Sequence, residues 1–178
     1  MLRPIVFQYD SSRAAQAVLW LLHKHGGAMD KLKLVKLVFY ADRDHIAKFG
    51  RPIAGGPYVA MKHGPVSSKL LNDLAQAAPG AGYPFEARGR RVLALSQVDE
   101  NELSESDMSA LEAVNTKYGN LDPYTLRDLT HELKAWQKNY PDRKANTSYP
   151  LPYEDFFLDL DDDGILKIIR DHQQAMDF

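Results

Sequence analysis

Between Asp30 and Gly50 the chain runs without a proline or a glycine, and Leu32, Leu34, Val35, Leu37, Val38, Phe39 and Ala41 spread over more than one helical stripe. A helix that is apolar around most of its girth belongs near the centre of a core. The remaining elements must therefore be laid around it. Asp30 is placed to cap this helix, its carboxylate accepting the first free amides, and Gly50 to end it, which sets its run at roughly Lys31 to Phe49.

Other elements follow from the same kind of punctuation. Ser11 and Ser12 precede a helix carrying Ala14, Val18, Leu21 and Leu22, stopped by Gly26-Gly27. Tyr58-Val59-Ala60-Met61 reads as a short strand between breakers, and Pro65 as the first turn of a helix that turns Val66, Leu70, Leu71 and Leu74 inward and ends before Pro79. Two apolar runs flank Arg88-Gly89-Arg90 over residues 83–95 and predict a hairpin. An isolated hairpin is marginal, so it should pair with Tyr58–Met61 or lie on helices.

Ser104 and Asp107 have capping spacing for a helix carrying Met108, Leu111, Val114 and Tyr118 and ended by Gly119. Asp122-Pro123 opens another, with Leu126, Leu129, Leu133 and Trp136 on one face. Two last helices are expected from Tyr153 to about Leu160 and from Ile165 to about Met176. The fold class is α+β and mainly α-helical: a helical domain with a small antiparallel sheet made of the hairpin near 83–95 and a strand near 58–61. We expect one domain over residues 1–178, with 141–178 a C-terminal helical extension packed on it.

Charge and composition exclude several classes. The 178 residues contain no cysteine, so disulfides, thiolate metal sites and a cysteine nucleophile are ruled out. No apolar run approaches the ~18 residues of a membrane span, and the apolar stretch near Met1 is too short for a signal peptide, so a soluble, cytoplasmic protein without membrane contact is expected. The net charge of −2 conceals an asymmetry. Residues 1–95 hold 14 Lys/Arg and 6 Asp/Glu, and residues 96–178 hold 8 and 18. Either a basic surface awaits an acidic partner, or the two halves fold together and partly cancel. There is no dense Lys/Arg run, so nucleic acid is not the expected partner.

Four clusters invite chemistry. Asp159, Asp161 and Asp163, followed by Gly164 and Leu166, occupy calcium-loop positions, but Arg170 stands where a bidentate Glu is required. The simpler reading is an acidic N-terminus for the last helix. His131-Glu132 starts like a zinc-protease motif and fails at Ala135. Asp42, Asp44 and His45 read as solvated neighbours on a helix exterior. Lys62-His63-Gly64-Pro65-Val66-Ser67-Ser68-Lys69 could form an anion pocket at a helix N-terminus, or a tight turn whose serines satisfy local backbone. On a helical wheel His131 lies opposite the Leu126/Trp136 stripe, and a pocket joining His63 and His131 could do acid–base work. No nucleophile elbow or nucleotide loop accompanies it, so an enzyme is not expected.

The blocks Lys36-Leu37-Val38-Phe39-Tyr40-Ala41-Asp42-Arg43-Asp44-His45, Phe49-Gly50-Arg51-Pro52-Ile53 and Tyr58 to Ser68, with the later Leu126-Arg127-Asp128-Leu129-Thr130-His131-Glu132 and Ala135-Trp136, resemble the Panacea domain, also called SocA-like or GepA-like, over roughly residues 12 to 140. Ser67 stands where the family pattern has a proline. The resemblance implies an antitoxin of a bacterial or prophage toxin–antitoxin pair that neutralises a co-encoded protein toxin by direct binding. It also implies, in one mode, a proteolytic adaptor delivering the toxin to ClpXP. It brings no catalytic residue and no cofactor. His63, Gly64, Pro65, Ser67, Thr130, His131 and Trp136 enter as motif positions serving binding or folding.

Overall fold

Asp30 Oδ1 accepts the amides of Leu32 and Lys33, and Gly50 closes the same helix in the left-handed conformation at φ 78°. The computed structural model, which describes residues 2–142, 144, 146–160 and 163–176, thus gives the central helix α2 the bounds Lys31–Phe49. Around it stand α1 (Ser11–Lys24), α3 (Ser68–Gln76), α4 (Glu105–Tyr118), α5 (Pro123–His131), α6 (Lys134–Asn139) and α7 (Asp163–Met176). The strands are β1 (Ala28–Asp30), β2 (Tyr58–Met61), β3 (Gly64–Ser67), β4 (Phe85–Arg88), β5 (Arg91–Ala94) and β6 (Tyr149–Pro150). The protein is α+β and mainly helical, as the sequence predicts.

Helix α2 packs against α4, α5, α1 and β3, and Leu34, Leu37, Phe39 and Ile46 along it are sealed from solvent. Burying one such side chain is worth about 1.5–3 kcal/mol, so α2 supplies much of the core's cohesion. Phe39 meets Tyr58 and Phe156 at centroid distances of 5.8 and 5.4 Å, which ties the late chain to the core centre.

The strands make two antiparallel sheets, ordered β1-β5-β4 and β3-β2-β6. The hairpin forms as expected but pairs with the unanticipated β1, Met29 opposite Val92, rather than with β2. Residues Gly64–Ser67 are a strand, not the first turn of a helix; α3 begins at Ser68, with Ser67 as its cap. Pro65 is tolerated because β3 is an edge strand, where a missing amide breaks no inner ladder. Asp10 caps α1, which takes Ser11 and Ser12 into its first turn rather than leaving them ahead of it. The single helix expected through Trp136 is broken: Leu133 is extended (φ −70°, ψ 131°), and its amide turns back to the Thr130 carbonyl. Residues Tyr153–Asp155 form only a short 3-10 turn. Among the described residues no helix is long and apolar enough to cross a membrane.

Candidate functional site

The break between α5 and α6 folds the second motif block onto the first. Trp136 Nε1 donates to the Met61 carbonyl at 2.7 Å, and the His131 ring stacks on the Trp136 indole at 4.0 Å and 17°. The wheel argument that set His131 apart from Trp136 therefore fails, because the two residues sit on different helices. Gly64, at φ 105°, presses against the α5 end. A Cβ there would stand 2.4 Å from Thr130 Oγ1 and 3.0 Å from Lys36 Nζ. Thr130 is buried and donates to the Arg127 carbonyl at 2.6 Å. Gly64, Thr130 and Trp136 thus form one packed seam that clamps the β2–β3 turn.

Lys36 lies inside this seam. Its side chain is buried in the middle of α2, and Nζ donates to the Pro65 carbonyl at 2.7 Å. Burial alone pushes its pKa down, to about 7. Burying an ammonium without a counter-charge is costly, and among the described residues no ion pair offsets it.

Lys36 also lines a half-open cleft of about 450 Å³. Leu32 and Val35 of α2, Met61 and Val66 of the β2–β3 hairpin, and Leu71 of α3 give it apolar walls. Lys31, Lys62, His63 and Arg90 bring positive or protonatable groups, and the exposed Tyr124 completes the rim. The Arg90 and Arg127 guanidinium groups lie 5.4 and 5.1 Å from the Tyr124 ring centre. Among the described residues no Asp or Glu lines the cleft.

The two motif histidines part company here. His63 is exposed and belongs to the cleft wall; His131 is half-buried and does not. Desolvation holds both below the ordinary histidine pKa, and the Arg127 and Lys36 cations act in the same direction on each. His131 Nε2 is buried without a hydrogen-bond partner among the described residues. At neutral pH both rings are therefore uncharged.

Asp42 and His45 are buried, contrary to their reading as solvated neighbours. They hold the loop after α2. The Asp42 carboxylate accepts the amides of Ile53, Ala54 and Gly55 and the Tyr58 hydroxyl at 2.7–3.1 Å. Burial pushes its pKa up, against the pull of these four donors. Asp42→Asn puts an NH2 group where an acceptor is needed; we expect a loss of about 2 kcal/mol in urea unfolding. His45 Nδ1 donates to the Arg51 carbonyl at 2.6 Å, and Nε2 stands 2.9 Å from Ser106 Oγ. Beside it the buried Asp107 accepts the Ser104 amide and pairs with Arg51 Nη1 at 3.0 Å. Burial pushes the Asp107 pKa up, but the Ser104 and Arg51 contacts outweigh it and hold the carboxyl below the ordinary range.

Ser67 and Ser68 serve backbone. Ser67 Oγ donates to the Gly55 carbonyl and accepts the Leu70 amide, and Ser68 Oγ donates to the Pro57 carbonyl. Asp159 accepts the Lys134 amide, capping α6. Asp161 and the Asp163 side chain lie outside the described residues. Among the described residues no three His, Asp or Glu gather to hold a metal ion.

Sequence reasoning missed Lys36 as a site residue. The available signal was a lone lysine between Leu34-Val35 and Leu37-Val38 in a helix with no polar face to spare. A family model described as antitoxin SocA-like, Panacea domain, matches residues 34–137, which contain both motif blocks. No curated protein and no solved structure matches the chain.

Proposed function

The chain belongs to the antitoxin SocA-like, Panacea-domain family, and on that premise we propose that it neutralises a co-encoded protein toxin by binding it directly. The match over residues 34–137 carries this reading, because it spans the seam and most of the cleft wall. Gly64, Thr130 and Trp136 are spent on packing, so recognition falls to the exposed residues that the seam holds in place. The protein is on this reading a binder and not an enzyme; an acid–base pair of His63 and His131 draws little support when only His63 is in the cleft wall. In its extended form the reading includes hand-over of the bound toxin to ClpXP.

Co-expression with the product of the neighbouring gene tests it. We expect the neighbour alone to arrest growth, this chain to restore it, and the two proteins to co-purify. A neighbour that is harmless, or is neither bound nor neutralised, overturns the reading. A toxin half-life shortened only when both this chain and ClpXP are present supports the hand-over step; an unchanged half-life removes it.

A further inference from the structure

We infer that the cleft between α2, the β2–β3 turn and the β4–β5 tip is the toxin-docking site, and that it takes an acidic segment carrying apolar side chains. The inference rests on the antitoxin reading and adds the chemistry of the contact.

Three observations carry it. Positive charge converges on one concavity from three elements: Lys31 and Lys36 on α2, Lys62 on the β2–β3 turn and Arg90 on the hairpin tip. Among the described residues no carboxylate lines the same walls, so an incoming anion meets a predominantly positive field. Arg90, itself exposed, reaches the half-buried Asp30 at 3.2 Å, a pair screened on its arginine side by solvent.

The second observation is the apolar walls. Leu32, Val35, Met61 and Val66 offer nothing to a small hydrated anion, and about 450 Å³ exceeds what one needs. They suit the aliphatic or aromatic side chains that flank carboxylates in a peptide, the pairing of apolar anchor and charged rim usual in protein interfaces.

The third is Lys36. Lys36 lines the cleft, and its buried Nζ has the Pro65 carbonyl as its hydrogen-bond acceptor and is otherwise poorly solvated. A carboxylate delivered by the partner supplies the missing counter-charge. A charge-assisted hydrogen bond formed away from water is stronger than its exposed equivalent. Lys36 is thus the deep anchor, and Lys62, Arg90 and Lys31 steer the segment in.

The test uses the full chain, its Lys36→Met variant, and a Lys62→Glu/Arg90→Glu double variant whose changes sit on exposed positions. Melting curves first establish that all three fold. Binding is read by fluorescence anisotropy with a labelled peptide of alternating Glu and Leu, and with a matched peptide of Lys and Leu. It is also read by co-purification with the neighbouring gene product. We expect the acidic peptide to bind the wild type, the basic one not to, and each variant to weaken both the peptide and the neighbour by about 30-fold or more. Equal binding of the acidic peptide by wild type and variants overturns the inference, as does its displacement by an equal concentration of inorganic phosphate. So does a concentration-dependent dimer that the double variant abolishes, which makes a second copy of this chain the occupant. A neighbour captured equally by all three proteins sinks the docking site and leaves the antitoxin reading standing. A neighbour captured by none, with peptide binding still lost in the variants, sinks the antitoxin reading and leaves the cleft as an acidic-peptide site.

Discussion

Lys36→Met makes the protein more stable at pH 6, by on the order of 3 kcal/mol, and removes a pH dependence that the wild type shows above neutrality. Lys36 is fully buried and holds its proton only up to about pH 7, whereas in the unfolded chain it titrates near 10.5. Below pH 7 both states are protonated, and the native state bears the whole cost of the buried ammonium. Between pH 7 and 10.5 the unfolded chain carries a proton that the native state has shed. Native stability therefore climbs with pH, at up to about 1.4 kcal/mol per unit from this one group. Methionine keeps the length and apolar stem and has no proton to lose. The gain from the substitution is consequently full below pH 7 and fades as the pH rises toward 10. The orphaned Pro65 carbonyl offsets part of it. Urea unfolding of both proteins at pH 6, 7.5 and 9 reads the difference, with other titrating groups common to the two. A constant difference across that range refutes a native pKa near 7. If the cleft docks the toxin, the same variant is more stable and binds worse, a combination that a purely structural lysine does not give.

Gly64→Ala acts in the opposite sense and costs about 3 kcal/mol or more. The backbone at Gly64 has φ 105°, a region that a side chain rarely adopts, and the added methyl runs into Thr130 Oγ1 and toward Lys36 Nζ. Backbone strain and overpacking are separate costs. Adding Thr130→Ala removes the nearest contacting atom and should recover part of the loss, leaving the φ strain and the Lys36 contacts. Melting temperatures of the single and double variants separate the two parts. A Gly64→Ala protein that melts with the wild type shows the seam to be looser than its geometry.

What could be read before the structure was known followed local chemistry. Asp30 and Gly50 are strong punctuation, and they mark both ends of α2. The Ser104/Asp107 capping box did the same for α4. What could not be read depended on partners distant in sequence. Gly64-Pro65-Val66-Ser67 has the look of a helix start because proline suits a first turn; only the pairing of Ala60 with Pro65 and Val59 with Val66 makes it a strand. The apolar stripe through Leu126, Leu129, Leu133 and Trp136 is continuous in sequence, yet Leu133 turns and Trp136 reaches back to Met61. Asp42 and His45 are polar residues on a helix with no solvated side at their positions, and the loop and the α4 start that bury them lie downstream. The motif positions were legible, but their division of labour was not. Gly64, Thr130 and Trp136 pack, while the cleft draws its charge from Lys31, Lys36, Lys62 and Arg90.

The short strand β6 has a consequence for how the protein comes into being. It joins β2 by pairing Tyr149 with Ala60, and just after it Phe156 comes to lie 5.1 Å from Tyr58 while Tyr153 hydrogen-bonds the Gly56 carbonyl. A nascent chain leaving the ribosome therefore cannot complete this cluster until Phe156 has emerged. Until then the Phe39 and Tyr58 rings lack the Phe156 ring that packs against both. A chain interrupted before β6 is thus left with an incompletely covered aromatic cluster at its centre.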